Sequence, residues 1–228
     1  MSLPLRCCLL SGGESRRMGR DKALLPHPSG GTWLERSLAL LAELGAPVTL
    51  LSRHRAHGAL ARAWADRSLG GTRACIGAEP GATALEVLQE PAPWQGPLLA
   101  LARLMERYPN ERLLLCPVDM PWLDIATLAD LRAAATADPA RIHTAHDGRR
   151  LQPLLGLYPA DGQHRRSLAA FTAAGGRSLQ RWLAGVGHTP VPLPAGPLRN
   201  ANRPEDLTDL VAPDGGPLPD RQRPEPTA

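Results

Sequence analysis

The chain has 228 residues, enough for one domain with a sizeable core or a domain with appendages, and 43% of them are hydrophobic, which is ordinary for a soluble globular protein. A net charge of +4 and a pI near 9.2 suit an anionic ligand, whereas scattered basic residues and an aromatic content of 4% argue against a nucleic-acid surface. No apolar run reaches a membrane span, the N-terminus lacks a charged-then-apolar leader, and four cysteines (Cys7, Cys8, Cys75, Cys116) show no C-x-x-C spacing, so a reducing cytoplasm is the expected setting.

Leu5–Leu10 is an apolar run that reads as a buried first strand. It feeds into Gly12-Gly13 and then into a basic loop, L-L-S-G-G-E-S-R-R-M-G-R-D-K, that closes on Asp21-Lys22. Two glycines after a strand let backbone amides approach a ligand, and Arg16, Arg17 and Lys22 add positive charge, a combination suited to a polyphosphate. Neither G-x-x-x-x-G-K-[ST] nor G-x-G-x-x-G is present.

Thr32-Trp-Leu-Glu35 is a capping box that opens a helix expected to run to Leu44 and stop at Gly45. Val48–Leu51 reads as a second strand and Ala59–Trp64 as a helix. Residues 66–84 are rich in glycine and small residues and read as a loop or insertion, and Leu85–Leu88 fits a short strand or an apolar helical turn. Gly96-Pro97 starts an amphipathic helix to Arg107, Arg112–Cys116 reads as a central strand, and Ile125–Ala137 as a helix. Arg141–Ala145 and Leu151–Leu157 form a strand pair around Asp147-Gly148, followed by helices near Arg165–Ala174 and Leu179–Leu183. Alternating strands and helices predict an α/β fold with a mostly parallel sheet over residues 1–211. Residues 212–228, dense in Pro, Asp, Glu and Gly, are expected to be a disordered tail.

The second chemical signal is Leu113-Leu-Leu-Cys-Pro-Val-Asp119-Met-Pro121. A carboxylate just past a buried strand lies where open α/β sheets contact ligands, and a hard oxygen there suits Mg²⁺ that also touches phosphates. Asp124 is the better candidate for a helix cap. Lys22 is the expected source of charge stabilisation at reacting phosphates, Arg16 is as readily a solvated neighbour, and Asp21 either orients Lys22 or is a surface charge. Asn200 and Asn202 occupy alternate positions of an extended segment ahead of Pro204, which opens a short helix carrying Glu205 and Asp206. The seven histidines form no ligand pair on one predicted helix, so a structural zinc site is not expected.

The first loop resembles the signature of nucleotidyltransferases with a glycosyltransferase-A-like fold, closest to the molybdenum cofactor guanylyltransferases, whose pattern is roughly L-x-G-G-x-S-x-R-M-G-x-D-K. The C-P-x-D-x-P segment is similar to the family's metal-binding aspartate, and Asn200-Ala-Asn202-Arg-Pro-Glu-Asp206 to its N-x-N-T-P-E-D close, with Arg203 where threonine is usual. The resemblance implies a three-layer α/β/α Rossmann-like fold and Mg²⁺-dependent transfer of GMP from GTP to the terminal phosphate of molybdopterin, releasing pyrophosphate. It makes Lys22, Arg17 and Asp119 catalytic, with Asp119 holding the metal. Nucleotide contacts would be Leu10, Ser11, Gly12, Gly13, Lys22, Ser52, Glu90, Gly96 and Asp119, and acceptor contacts Asn200 and Asn202. Ser52 and Glu90 stand where the family often has asparagine and aspartate, and they fit equally a strand-end cap and a solvated charge. GTP, molybdopterin and an apo-molybdoenzyme or its chaperone are the implied partners, with no nucleic acid or membrane. A cytidylyltransferase for the same cofactor, a sugar-phosphate nucleotidyltransferase and a non-catalytic cofactor-delivery chaperone are the alternatives. S-G-G in place of A-A-G favours a guanine nucleotide over a cytosine one.

Overall fold

The computed structural model describes residues 3–69, 84–92, 94, 96–207 and 210. In chain order the elements are β1 (Leu5–Leu10), α1 (Trp33–Ala42), β2 (Val48–Ser52), α2 (Arg55–Ser68), β3 (Leu85–Gln89), α3 (Pro97–Arg107) and β4 (Arg112–Pro117). They continue as α4 (Ile125–Ala134), β5 (His143–His146), β6 (Leu151–Pro159), α5 (Gly162–Ala173), α6 (Leu179–Val186) and β7 (Thr189–Pro192). The strands form one sheet in the order β3-β2-β1-β4-β6-β5-β7. Only β6 runs against its neighbours: β4 and β5 pair with it antiparallel, and every other pairing is parallel.

Alternation along the strands divides the core in two. Cys7 and Leu9 face one side, packed with Leu34, Leu38 and Leu41 of α1, Ala61 and Trp64 of α2, and Leu128 and Leu131 of α4. Cys8 faces the other side with Leu98, Leu101 and Leu104 of α3, Leu168 of α5 and Trp182 of α6. The result is the expected α/β/α sandwich, in which strands buried on both faces read as continuous apolar runs. Cys7, Cys8 and Cys116 are buried free thiols, as their apolar surroundings predicted.

The element ends differ from the sequence reading for local reasons. α1 stops at Ala42 because Leu44 N–H bonds Leu41 O and Gly45 N–H bonds Ala42 O, a tighter three-residue spacing that ends in Gly45 at φ +65°. α4 stops at Ala134, where the Arg112 guanidinium donates to Ala135 O at 3.2 Å. α2 begins at Arg55 and takes in residues 66–68, which the reading had placed in a loop; the rest of that expected insertion, 70–83, and the tail expected over 212–228 lie outside the described residues. Leu85–Gln89 is a strand rather than a helical turn, because parallel pairing with β2 uses its backbone. β5 starts at His143, and the β5–β6 connection is a four-residue turn in which Asp147 Oδ1 accepts from Arg149 N and Arg150 N.

β7 was not anticipated, because T-P-V-P contains two prolines that argue against a strand. It pairs with β5 alone, through bonds such as Thr189 N–H to Ile142 O and Leu193 N–H to His146 O.

Gly156 of β6 sits beside an irregular step in the β5–β6 register. A Cβ there would meet the His143 carbonyl oxygen at 2.7 Å, and backbone cannot swing away as a side chain can. Gly156→Ala should therefore cost about 1–3 kcal/mol of stability, read as a lowered midpoint in urea unfolding. An unchanged midpoint would show that the β5–β6 step relaxes freely.

Candidate active site

β1 and β4 lie side by side, with Leu10 opposite Pro117. After β1 the chain builds outward on one side through β2 and β3, then crosses to lay β4 on the other. The crevice at the carboxyl ends of β1 and β4 is thus a topological switch point, where open α/β sheets bind ligands. A cavity of about 370 Å³ opens there. Its walls come from the loop after β1, from Arg53 and His57 after β2, from Glu90, Trp94 and Gly96-Pro97 after β3, from Pro117–Asp119 after β4, and from Leu154 of β6.

Lys22 is the centre of this arrangement. Its side chain is only 11% exposed, and Nζ donates to Asp119 Oδ2 at 3.0 Å, Asn202 Oδ1 at 3.0 Å and Ala201 O at 3.3 Å. All three ammonium protons have acceptors, so the charge is held in one place at the cavity wall. Ala201 N–H in turn bonds Asp119 O at 2.9 Å, and Asp206 accepts from Asn202 N and Arg203 N. The first of these contacts holds the 200–202 segment against the loop that carries Asp119, and the second ties Asn202 and Arg203 to the 3-10 turn Pro204–Leu207. Asp124 caps α4 through Thr127 N, as expected, whereas Asp119 lines the cavity together with Glu14, Asp21 and Glu90.

The glycine pair behaves as its chemistry requires. Leu10, Ser11, Gly12 and Gly13 all line the cavity. A Cβ on Gly12 would stand 3.0 Å from Glu90 Oε2, so the missing side chain is what lets that carboxylate close over the loop. Glu90 is buried and bonded to Arg103 at 2.8 Å. Burial pushes its carboxyl above the ordinary range, opposed by the Arg103 and Arg53 guanidinium groups. Gly96 adopts φ +87° and, with Pro97, brings the N-terminus of α3 to the cavity.

Other expected positions fall elsewhere. Arg17 is exposed and outside the cavity wall: the loop turns back at Ser15, φ +50°, to bury Met18 in the core, which sends Arg16 and Arg17 into solvent. Ser52 is buried beneath the cavity, its hydroxyl donating to Ser11 O at 2.8 Å, so it supports the loop and does not line the cavity. Asn200 bonds Gln152 of β6 at 3.2 Å and does not share the partners of Asn202. Asp21 is neither a free surface charge nor a partner of the Lys22 ammonium; it caps the turn Lys22–Leu24 and pairs with His57 Nε2 at 2.7 Å.

His57, Arg53 and Trp94 were missed by the sequence reading. Histidines enter the sequence reading only as possible metal ligands, although a polar group just after a strand in this fold points at the crevice. Trp94 is half exposed, its indole N–H bonds Glu90 O at 3.1 Å, and the Arg53 guanidinium lies 4.8 Å from its ring centroid. Among the described residues no three His, Cys, Asp or Glu side chains cluster as a closed metal site, and no helix is long and apolar enough to cross a membrane.

Residues 7–189 match the model of the MobA-like NTP transferase domain family. The chain is 36% identical over 212 residues to a probable molybdenum cofactor guanylyltransferase from Rhodopirellula baltica, covering 90% of both chains. It is 32% identical to a molybdenum cofactor guanylyltransferase from Pseudomonas syringae, covering 87% of this chain and 88% of that one. In fold it is similar to the molybdopterin-guanine dinucleotide biosynthesis protein A of Archaeoglobus fulgidus, with a TM-score of 0.60, 18% identity, and 89% and 94% of the two chains covered.

Trp94, at 51% exposure, is the tryptophan best placed to report on the cavity, since Trp33, Trp64 and Trp182 are buried and the half-buried Trp122 is not in the cavity wall. A planar base entering the cavity should quench its emission. Saturation with a nucleoside triphosphate is expected to lower tryptophan fluorescence in the parent and leave Trp94→Phe unchanged. Full occupancy by calorimetry with no change in emission would place the base away from the indole.

Proposed function

The chain belongs to the MobA-like NTP transferase family, and on that premise we propose that it transfers GMP from GTP to the terminal phosphate of molybdopterin, forming the guanine dinucleotide cofactor and pyrophosphate. The observation that carries this reading is the Lys22 ammonium fixed among Asp119, Asn202 and Ala201 O beside the paired glycines. In nucleotidyl transfer the acceptor phosphate attacks the α-phosphorus and pyrophosphate departs, so negative charge grows on oxygens that a fixed cation can face.

Each wall has a part in this reading. The amides of Ser11–Gly13 and the Lys22 ammonium bind phosphate oxygens, with Lys22 acting most strongly as charge develops. Glu90 reads the base, because its two oxygens match the adjacent N–H groups on guanine's pairing edge, where cytosine presents acceptors. Gly12 leaves room for that carboxylate, and Trp94 covers the ring. Asn202, joined to Lys22, faces the acceptor phosphate.

Magnesium belongs to the same proposal. The ion commonly takes one or two carboxylates and fills its shell with water and substrate phosphates, so a lone aspartate fits it better than a closed cage would. Asp119 is such a group: a hard oxygen donor at the cavity, with Lys22 bonded to Oδ2 alone. When bound, the ion would neutralise charge on the phosphates as a Lewis acid. Action in the cytoplasm, with Cys7, Cys8 and Cys116 kept as thiols, and delivery of the product to an apo-molybdoenzyme or its chaperone complete the proposal.

The direct test is pyrophosphate release from GTP, Mg²⁺ and molybdopterin by the purified chain. Nucleotide binding without release would assign a delivery chaperone. Asp119→Ala is expected to fold and to lose roughly a thousandfold in turnover, a loss of about 4 kcal/mol in transition-state stabilisation. Lys22→Ala should lower turnover more than GTP affinity. A folded Asp119→Ala with near-normal release would remove the metal assignment.

Base choice gives a separate prediction. GTP should be preferred over CTP by at least about tenfold, or roughly 1.4 kcal/mol. Gly12→Ala should erode the preference, since the added methyl meets the end of a flexible side chain and moves Glu90 rather than the backbone. Equal use of the two nucleotides by the parent would make the chain a cytidylyltransferase or a less selective enzyme.

A further inference from the structure

His57 lies in the first half of α2, far in sequence from the phosphate loop, and is 1% exposed. Its Nδ1 is 2.9 Å from Ser11 Oγ, 2.9 Å from Ser11 O and 2.9 Å from Ser52 Oγ, and its Nε2 is 2.7 Å from Asp21 Oδ2. The Ser52 hydroxyl donates to Ser11 O and accepts from His54 N, so its proton is already committed. The hydroxyl left to donate to Nδ1 is that of Ser11, which puts a hydrogen on Nε2 to bond the aspartate. Protonation of the ring would keep the Nε2–H bond and turn Nδ1 toward Ser11 O. In both states the imidazole joins Ser11 to Asp21.

Ser11 is where the loop leaves β1, and Asp21 is where it returns. The second oxygen of Asp21 accepts from Ala23 N at 3.1 Å, and Lys22 N–H bonds Ser15 Oγ at 3.2 Å. The backbone that carries Lys22 is thus held from both sides, by Ser15 within the loop and by His57 through Asp21. His57 itself has both nitrogens engaged and almost no surface, so it is not placed to exchange protons with a substrate.

We infer that His57 is a positioning residue that clasps the two ends of the phosphate loop and, through Asp21, sets the place of the Lys22 ammonium. The inference rests on the nucleotidyltransferase reading for its kinetic consequence and on geometry alone for its structural one. A slackened loop leaves Lys22 its charge but not its fixed position. Ground-state affinity then changes little, whereas a reaction that needs the cation within a fraction of an ångström slows sharply.

The experiment is a double-mutant cycle on His57 and Asp21 in the full chain, with two readouts. In turnover, His57→Ala should lower kcat roughly a hundredfold and change the KM for GTP less than about threefold. Asp21→Ala removes the acceptor at a partly exposed position and should give a similar loss. The pair together should be no worse than the poorer single variant, because both remove one linkage. His57→Gln, whose amide reaches the position of Nε2, should recover more kcat than His57→Asn, which a role limited to filling space does not predict. In the absence of any nucleotide, amide hydrogen exchange over residues 11–23 should quicken in His57→Ala and Asp21→Ala alike, with the core of β4 unchanged. Losses that multiply in the double variant, a rise in KM alone, or unchanged exchange over the loop would overturn the clasp. If the parent releases no pyrophosphate, the functional reading falls, and the exchange measurement still decides the clasp. If His57→Ala does not fold, Asp21→Ala with normal kcat and normal exchange overturns it.

Discussion

One ammonium group holds the site together. Lys22 comes from the loop after β1, Asp119 from the loop after β4, and Ala201 and Asn202 from a segment that follows all seven strands. A backbone hydrogen bond, Ala201 N–H to Asp119 O, joins the last two pieces, and the ammonium ties the first to both. A buried cation with three acceptors is costly to desolvate, and full satisfaction of its donors is what makes the position tolerable. The reward is a charge whose location is decided before any ligand arrives, which is the condition under which electrostatic stabilisation contributes most.

The sheet makes that convergence possible. Placing β1 between β2 and β4 brings the loop after β1 against loops from both directions, with Leu10 and Pro117 level at the rim. The side toward β2 and β3 supplies Arg53, Glu90 and Trp94, and the side toward β4 and β6 supplies Asp119 and Leu154. Loops from opposite sides of the sheet therefore meet over the Gly12-Gly13 step. The antiparallel β6 is the departure from a fully parallel sheet, and it carries Gln152, which anchors Asn200 beside that second side.

The sequence was informative where one local rule decides the outcome. Apolar runs marked β1, β2 and β4, the Thr32 capping box opened α1, and glycines after a strand marked the phosphate loop. The place of Asp119 at the cavity was legible because the loop after a buried parallel strand opens onto the crevice. What escaped depends on distant partners. Arg17 and Lys22 look alike along the chain, and only the burial of Met18 decides which side chain turns inward. Ser52 was placed at the correct strand end but serves the loop backbone from below, because its hydroxyl donates to Ser11 O and accepts from His54 N. Asp21 could not be read without knowing that α2 would bring a histidine to it. The two asparagines were correctly put on one extended segment, yet their separate partners on β6 and in the phosphate loop are tertiary facts.

The proline-bearing strand β7 has a consequence for how the molecule behaves among its own copies. Thr189 and Leu193 send their amides inward to the strand beside them, so the alternating positions, Pro190 and Pro192, are the ones whose amides would point outward. Proline has no amide hydrogen to offer. A sheet that ends in this way presents carbonyls but lacks the donors that would template a strand from another molecule, and its ring atoms crowd any backbone that approaches. The residues that hid this strand from a propensity reading are thus the ones that leave this border of the sheet without the donors that a neighbour's strand would need.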